Sequence, residues 1–226
     1  MRKLNLLQQM HEAGIVAVLR GRSAEEAINL AEKAIEGGIR IIEITMTVPN
    51  ALDAISTLAK KWQSEDPTRP DYALIGSGTV LDPETARATL LSGAQFVVSP
   101  NLNEDTVRLC NRYRVPVLPG VMTIKEITDA LELGVDVVKL FPGNLYSPSI
   151  ISTIHSPLPQ ANLMPTGGVG LDNMKDWIAA GAFAIGIGSD LTKEAMASGN
   201  LELVTAKARD YVKAYQAAKQ HAQSFG

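Results

Sequence analysis

The chain has 226 residues, 46% of them hydrophobic, which is enough for one sizeable core and sits at the upper edge of a single domain. Charged residues of mixed sign make up 20% and the net charge is -3, so the composition lacks the basic footprint of a nucleic-acid binder. Cys110 is the single cysteine, which excludes a disulfide within the chain and points to a reducing, cytoplasmic setting.

Residues 1–14 (MRKLNLLQQMHEAG) read as an amphipathic helix with Leu4, Leu7 and Met10 along one stripe. Gln8, Gln9, His11 and Glu12 interrupt the apolar run, so it does not read as a signal peptide. The first strand is IVAVLR (15–20), and Ser23 followed by Glu26 has the capping-box spacing that opens a helix. Gly37-Gly38 closes that helix and feeds IRIIEIT (39–45). A helical stretch leads to the polar loop QSEDPTRP (63–70) and then to YALIGSG (72–78). Asp82-Pro83-Glu84 places an N-cap before a proline at the first helical position. Gly93 ends that helix ahead of QFVVSP (95–100).

Asn103 opens the next helix, before VPVLPG (115–120), and Thr123 with Glu126 opens another, closed by Gly134. VDVVKLF (135–141), NLMPTGG (162–168) and, after Gly181, FAIGIGS (183–189) complete the strands, and residues 201–223 form a terminal helix. No run reaches the ~18 apolar residues of a membrane span, so a soluble protein without membrane or nucleic-acid partners is expected.

Eight strands alternating with helices imply βαβ units and a parallel sheet. A doubly wound sheet would carry a glycine fingerprint after its first strand, where this chain has Leu19-Arg20-Gly21-Arg22-Ser23. The expected fold is therefore one (β/α)8 barrel across residues 1–226, with an extra N-terminal helix over 1–14.

In such a barrel, functional residues gather at the C-terminal ends of strands. Those ends offer Arg20, Glu43, Thr45, Thr79, Ser99, Pro100, Lys139, Phe141, Thr166, Gly167, Gly168, Gly188 and Ser189. Lys139 stands in an apolar strand, where desolvation disfavours the ammonium form and frees an amine for nucleophilic attack. Alternatively, it snorkels to the rim and pairs with a carboxylate. Glu43 shares parity with Ile41 and Thr45, so it points into the barrel while Arg40, Ile42 and Ile44 face the helices. A buried carboxyl there either shuttles protons or forms a structural ion pair with Arg20 or Lys139.

Gly167-Gly168 and Gly188-Ser189 end the last two strands, where barrels often bind phosphate through backbone N–H groups. The other reading is tight-turn chemistry. His11, His155 and His221 lie away from strand ends, and Cys110 stands on a helix with no cysteine partner, so no metal is expected.

These segments resemble the bacterial 2-keto-3-deoxy-6-phosphogluconate and 4-hydroxy-2-oxoglutarate aldolases. The likeness is carried by IVAVLR (15–20), GGIRIIEITMTVPNA (37–51), IGSGTVLDP (75–83), GAQFVVSPN (93–101), LPGVMT (118–123), VKLFPG (138–143), MPTGGV (164–169) and GIGSDL (186–191). The resemblance implies a class I aldolase, without metal or cofactor, assembled as a homotrimer and acting on a 2-oxo acid and an aldehyde phosphate. It places the Schiff-base lysine on Lys139 and the acid/base on Glu43. Thr79, Pro100, Phe141 and Thr166 then shape the pocket, and Gly167, Gly168 and Ser189 hold phosphate. Some members carry an arginine where this chain has Thr47, and Arg20 is the cation expected in its place. Two further readings keep the barrel: a sugar-phosphate isomerase or epimerase, and a non-catalytic barrel that binds a phosphorylated ligand.

Overall fold

Each apolar run expected as a strand contains one in the computed structural model, which describes residues 1–63 and 72–223. The polar loop expected at 63–70 falls outside the described residues apart from Gln63. The strands are β1 (Ile15–Leu19), β2 (Ile41–Thr45), β3 (Leu74–Gly78), β4 (Val97–Val98), β5 (Val117–Leu118), β6 (Gly120–Val121), β7 (Val138–Leu140), β8 (Leu163–Pro165) and β9 (Ile185–Ile187). Around them lie α1 (Arg2–Ala13), α2 (Ala24–Glu36), α3 (Ala51–Trp62), α4 (Pro83–Leu91) and α5 (Glu104–Arg112). α6 (Ile124–Glu132), α7 (Ile150–His155), α8 (Met174–Ala179), α9 (Ser189–Ser198) and α10 (Glu202–Gln223) follow.

All strand pairs are parallel, giving a curled α/β arrangement in two sheets, ordered β5-β4-β3-β2-β1-β9 and β6-β7-β8. The strand expected at 115–120 is divided at Pro119, which has no N–H for a ladder. Its carbonyl still accepts from Lys139 N–H at 2.9 Å. On the other side, a single bridge joins Thr166 to Gly186.

Alternating parity splits the core in two. Val16, Ile41, Leu74, Phe96, Val137 and Met164 form an inner cluster, while Ile42 and Ile44 pack outward against the helices. This is the facing expected for β2. Leu6 and Met10 of α1 join the inner cluster. The stripe expected on α1 is corrected in part: Met10 is buried and Leu7 packs partly buried against the cluster, but Leu4 is exposed and Leu6 is the second buried residue, one helical turn from Met10.

The helix signals act as their chemistry dictates. Asp82 and Asn103 accept from the N–H of Thr85 and Thr106, and Thr123 with Glu126 forms a complete capping box. Ser23 caps Glu26 N–H, but Glu26 reaches Arg22 N–H rather than closing the box. Gly38, Gly93, Gly134 and Gly181 take positive φ after their helices. Gly37 stays right-handed, and a Cβ there would overlap Ala208 of α10.

Candidate active site

Lys139 lies on β7 with Gly120 of β6 and Met164 of β8 as its register partners. Its neighbour Gly120 admits the Pro100 carbonyl, which a Cβ there would strike. Glu43 lies on β2, in the other sheet, between Val18 and Gly76. The two side chains meet across the interior, with Lys139 Nζ 4.0 Å from Glu43 Oε1. That distance is an ion-pair contact and too long for a hydrogen bond. Neither Glu43 oxygen has a hydrogen-bond partner among the described residues.

Gly78 explains how a carboxylate fits there: a Cβ at that position would overlap Glu43 Oε1. Glu43 is 0% exposed, and burial raises its pKa above the ordinary carboxylate range, opposed by the charges of Lys139 and Arg20. It therefore keeps a proton to higher pH than an exposed glutamate does.

Lys139 is 5% exposed and opens onto a cleft of about 560 Å³. Arg20, Phe141, Thr166, Gly167, Gly168, Gly188 and Ser189 line the same cleft, so the structure brings together most residues singled out by sequence. Phe141 sets its ring 5.0 Å from Lys139 Nζ. Thr166 is buried, and its hydroxyl has only a 3.5 Å contact to Met164 O. Glu43 is not part of the cleft wall and is reached past Lys139. Thr79 and Pro100 also lie off the wall. Thr79 follows Gly78 with φ 56, a conformation that a β-branched residue adopts only under constraint.

Arg20 and Thr47 do meet: Arg20 Nη1 donates to Thr47 Oγ1 at 3.1 Å, and Thr47 Oγ1 lies 2.8 Å from Thr45 Oγ1. The far end of the cleft holds Gly167 and Gly168 with φ of 89 and 73, and Ser189, the first residue of α9. A helix N-terminus beside glycine amides suits an anion. Lys193, one turn along α9, adds a cation there, a residue the strand-end rule does not find.

Asp190 also lines this end. Burial pushes its carboxyl up, but the Tyr211 hydroxyl at 2.6 Å and Lys207 at 3.0 Å outweigh that and hold it below the usual range. Cys110 is buried on α5, its thiol pushed up to about 12 by burial, which makes it inert. Among the described residues, no group of three or more His, Cys, Asp or Glu side chains is arranged to hold a metal, and no helix is long and apolar enough to cross a membrane.

A buried amine at the wall of the cleft, a buried carboxyl 4.0 Å behind it, and glycine amides beside a helix N-terminus are thus brought together. The family model for KDPG and KHG aldolases matches residues 6–207. The chain belongs to that family. A 2-dehydro-3-deoxy-6-phosphogalactonate aldolase of Escherichia coli is 33% identical over 95% of this chain and 100% of its own. A 2-dehydro-3-deoxy-phosphogluconate aldolase of Haemophilus influenzae is 37% identical over 77% of this chain and 79% of its own. The solved KDPG aldolase of Legionella pneumophila, with pyruvate captured as a covalent carbinolamine intermediate, superposes with a TM-score of 0.78. It is 28% identical and covers 90% of this chain and 96% of that one. The chain is thus an aldolase, a carbon–carbon lyase of the Schiff-base class.

Proposed function

We propose that this aldolase cleaves 2-dehydro-3-deoxy-6-phosphogluconate to pyruvate and glyceraldehyde 3-phosphate through an imine on Lys139, with 4-hydroxy-2-oxoglutarate as a smaller substrate of the same kind. The observation that carries this is the 4.0 Å approach of the fully buried Glu43 to Lys139, which lines a cleft that also carries glycine amides and a helix N-terminus.

The free-base amine of Lys139 adds to the C2 ketone, and Glu43 moves the protons that turn the carbinolamine into an iminium and water. The iminium accepts the electron pair of the C3–C4 bond, while ionised Glu43 takes the C4 hydroxyl proton. The aldehyde leaves, and the enamine is protonated at C3 by the same carboxyl. Water then hydrolyses the imine and returns the amine. Arg20 binds the 2-oxo acid carboxylate. Phe141, Thr166, Thr79 and Pro100 shape the cleft. Gly167, Gly168, Gly188 and Ser189 hold the phosphate, a remote group whose binding energy is used for orientation.

The architecture that goes with this reading is a single (β/α)8 barrel spanning residues 1–226. β5 and β6 count as one strand broken at Pro119, the Thr166–Gly186 bridge closes the ring, and α1 is the additional N-terminal helix. A cytoplasmic homotrimer is the form that accompanies the family resemblance.

Borohydride reduction in the presence of pyruvate, followed by peptide mapping, tests the scheme. A pyruvyl adduct on Lys139 is expected, and Lys139→Ala should abolish both adduct and turnover. An adduct on another lysine in active enzyme would refute it. Pyruvate release from the gluconate, the galactonate and the unphosphorylated substrates then ranks them.

A further inference from the structure

Asn173 stands at the N-terminus of α8, where an asparagine ordinarily accepts from N–H groups of its own helix. Its side chain makes no such cap. It turns back instead: Nδ2 donates to Gly168 O at 2.8 Å, and Oδ1 accepts from Gly170 N–H at 3.0 Å. Those two bonds pin both ends of the Gly168–Gly170 turn. The opposite side of the turn is fixed by the segment after β7. There a Cβ on Gly168 would come within 2.7 Å of Asn144 Cβ, and Gly143 N–H donates to Thr166 O at 2.7 Å. Between these supports, Gly167 and Gly168 line the cleft, and their N–H groups have no acceptor among the described residues. Two consecutive residues at positive φ are an arrangement that glycine permits but does not enforce, so the shape must come from outside the turn.

We propose that Asn173 is a positioning residue that holds the Gly167–Gly168 amides in register with the N-terminus of α9, and so sets affinity for the substrate's phosphate without touching it. This rests on the phosphate-binding reading given above. Donors aligned in advance bind an anion without the cost of ordering them at each turnover.

Asn173→Ser tests this while keeping a residue that can cap α8, and Asn173→Ala serves as a second variant. Each should raise KM for the phosphorylated substrate at least tenfold, with kcat changed less than threefold. The kcat/KM for unphosphorylated 4-hydroxy-2-oxoglutarate should stay within twofold, as should the rate of borohydride trapping with pyruvate. Protection against thermal unfolding by inorganic phosphate should fall in parallel with the loss in KM. A variant that loses both substrates equally has a general structural defect, and the positioning role is then overturned. The role fails equally if the wild type prefers the phosphorylated substrate and the variants keep that preference. Equal KM values for the two substrates in the wild type would instead overturn the phosphate reading itself.

Discussion

Gly78→Ala probes the space that admits the Glu43 carboxyl. Gly78 closes β3, and a methyl there would overlap Glu43 Oε1. Glu43 is 0% exposed, so its side chain has no open volume into which to swing. Overpacking of this kind costs about 1–3 kcal/mol. For a chain of this size the unfolding midpoint then drops by about 2–4 °C per kcal/mol. Displacing Glu43 from its 4.0 Å approach to Lys139 should also remove positioned proton transfer, worth about 10²–10⁴-fold in kcat.

Gly76→Ala is the control: its Cβ would come within 2.5 Å of the Phe96 ring, in the apolar part of the interior. It should destabilise comparably while costing less than tenfold in kcat. The decisive measurement is a double-mutant cycle with Glu43→Ala, which removes the Oε1, Cδ and Cγ atoms that the methyl would meet. Urea unfolding should show that Gly78→Ala costs at most half as much in that background, and a pyruvate-release assay coupled to NADH oxidation supplies kcat. Wild-type kcat in Gly78→Ala, or the same cost in both backgrounds, would refute the reasoning.

Glu43→Gln keeps the shape but holds no transferable proton, so kcat should fall by about 10²–10⁴-fold and pyruvate trapping should slow; an unchanged rate would remove Glu43 from its role. Thr47→Val should free the Arg20 guanidinium and raise KM for the 2-oxo acid about fivefold, the value of ~1 kcal/mol in a hydrogen bond to a charged group, read from initial rates. Tyr211→Phe removes the hydroxyl that donates to Asp190 and should cost about 1 kcal/mol at pH 7, a low figure because Asp190 is partly exposed. The folded state lowers the Asp190 pKa, so the wild-type advantage should be full above the ordinary aspartate value of about 4 and should fade as pH drops through the lower folded value. Paired urea titrations across that range check it, and an advantage that persists in acid would contradict the pairing.

Side-chain parity and strand ends made much of this molecule readable from its residues. The inward set Ile41–Glu43–Thr45 and the outward set Ile42–Ile44 followed from a period of two, which the chain cannot violate without exposing half the strand. Lys139, Arg20, Phe141 and the glycine loops could be picked out because they follow or end parallel strands, whose C-terminal ends meet at one cleft. What escaped was side-chain bonding that neither periodicity nor strand position encodes, whether the partner is near in sequence or far. Asn173 reads as an ordinary helix cap until its bonds to Gly168 and Gly170 are seen. Tyr211, 21 residues beyond Asp190, reads as a core aromatic on the terminal helix. The face of α1 was read only in part, because Leu4, Leu6, Leu7 and Met10 allow two stripes, and the docked geometry buries Leu6 and Met10, packs Leu7 beside them and leaves Leu4 exposed. The break at Pro119 was legible in principle, since proline donates nothing to a ladder.

Glu43 is fully buried and off the cleft wall, and Lys139, 4.0 Å away, is the neighbour that opens onto the cleft. In the proposed mechanism, an adduct on that amine stands between the cleft and the carboxyl. Hydrogen exchange between Glu43 and solvent should therefore be slower in the pyruvate adduct than in the free enzyme.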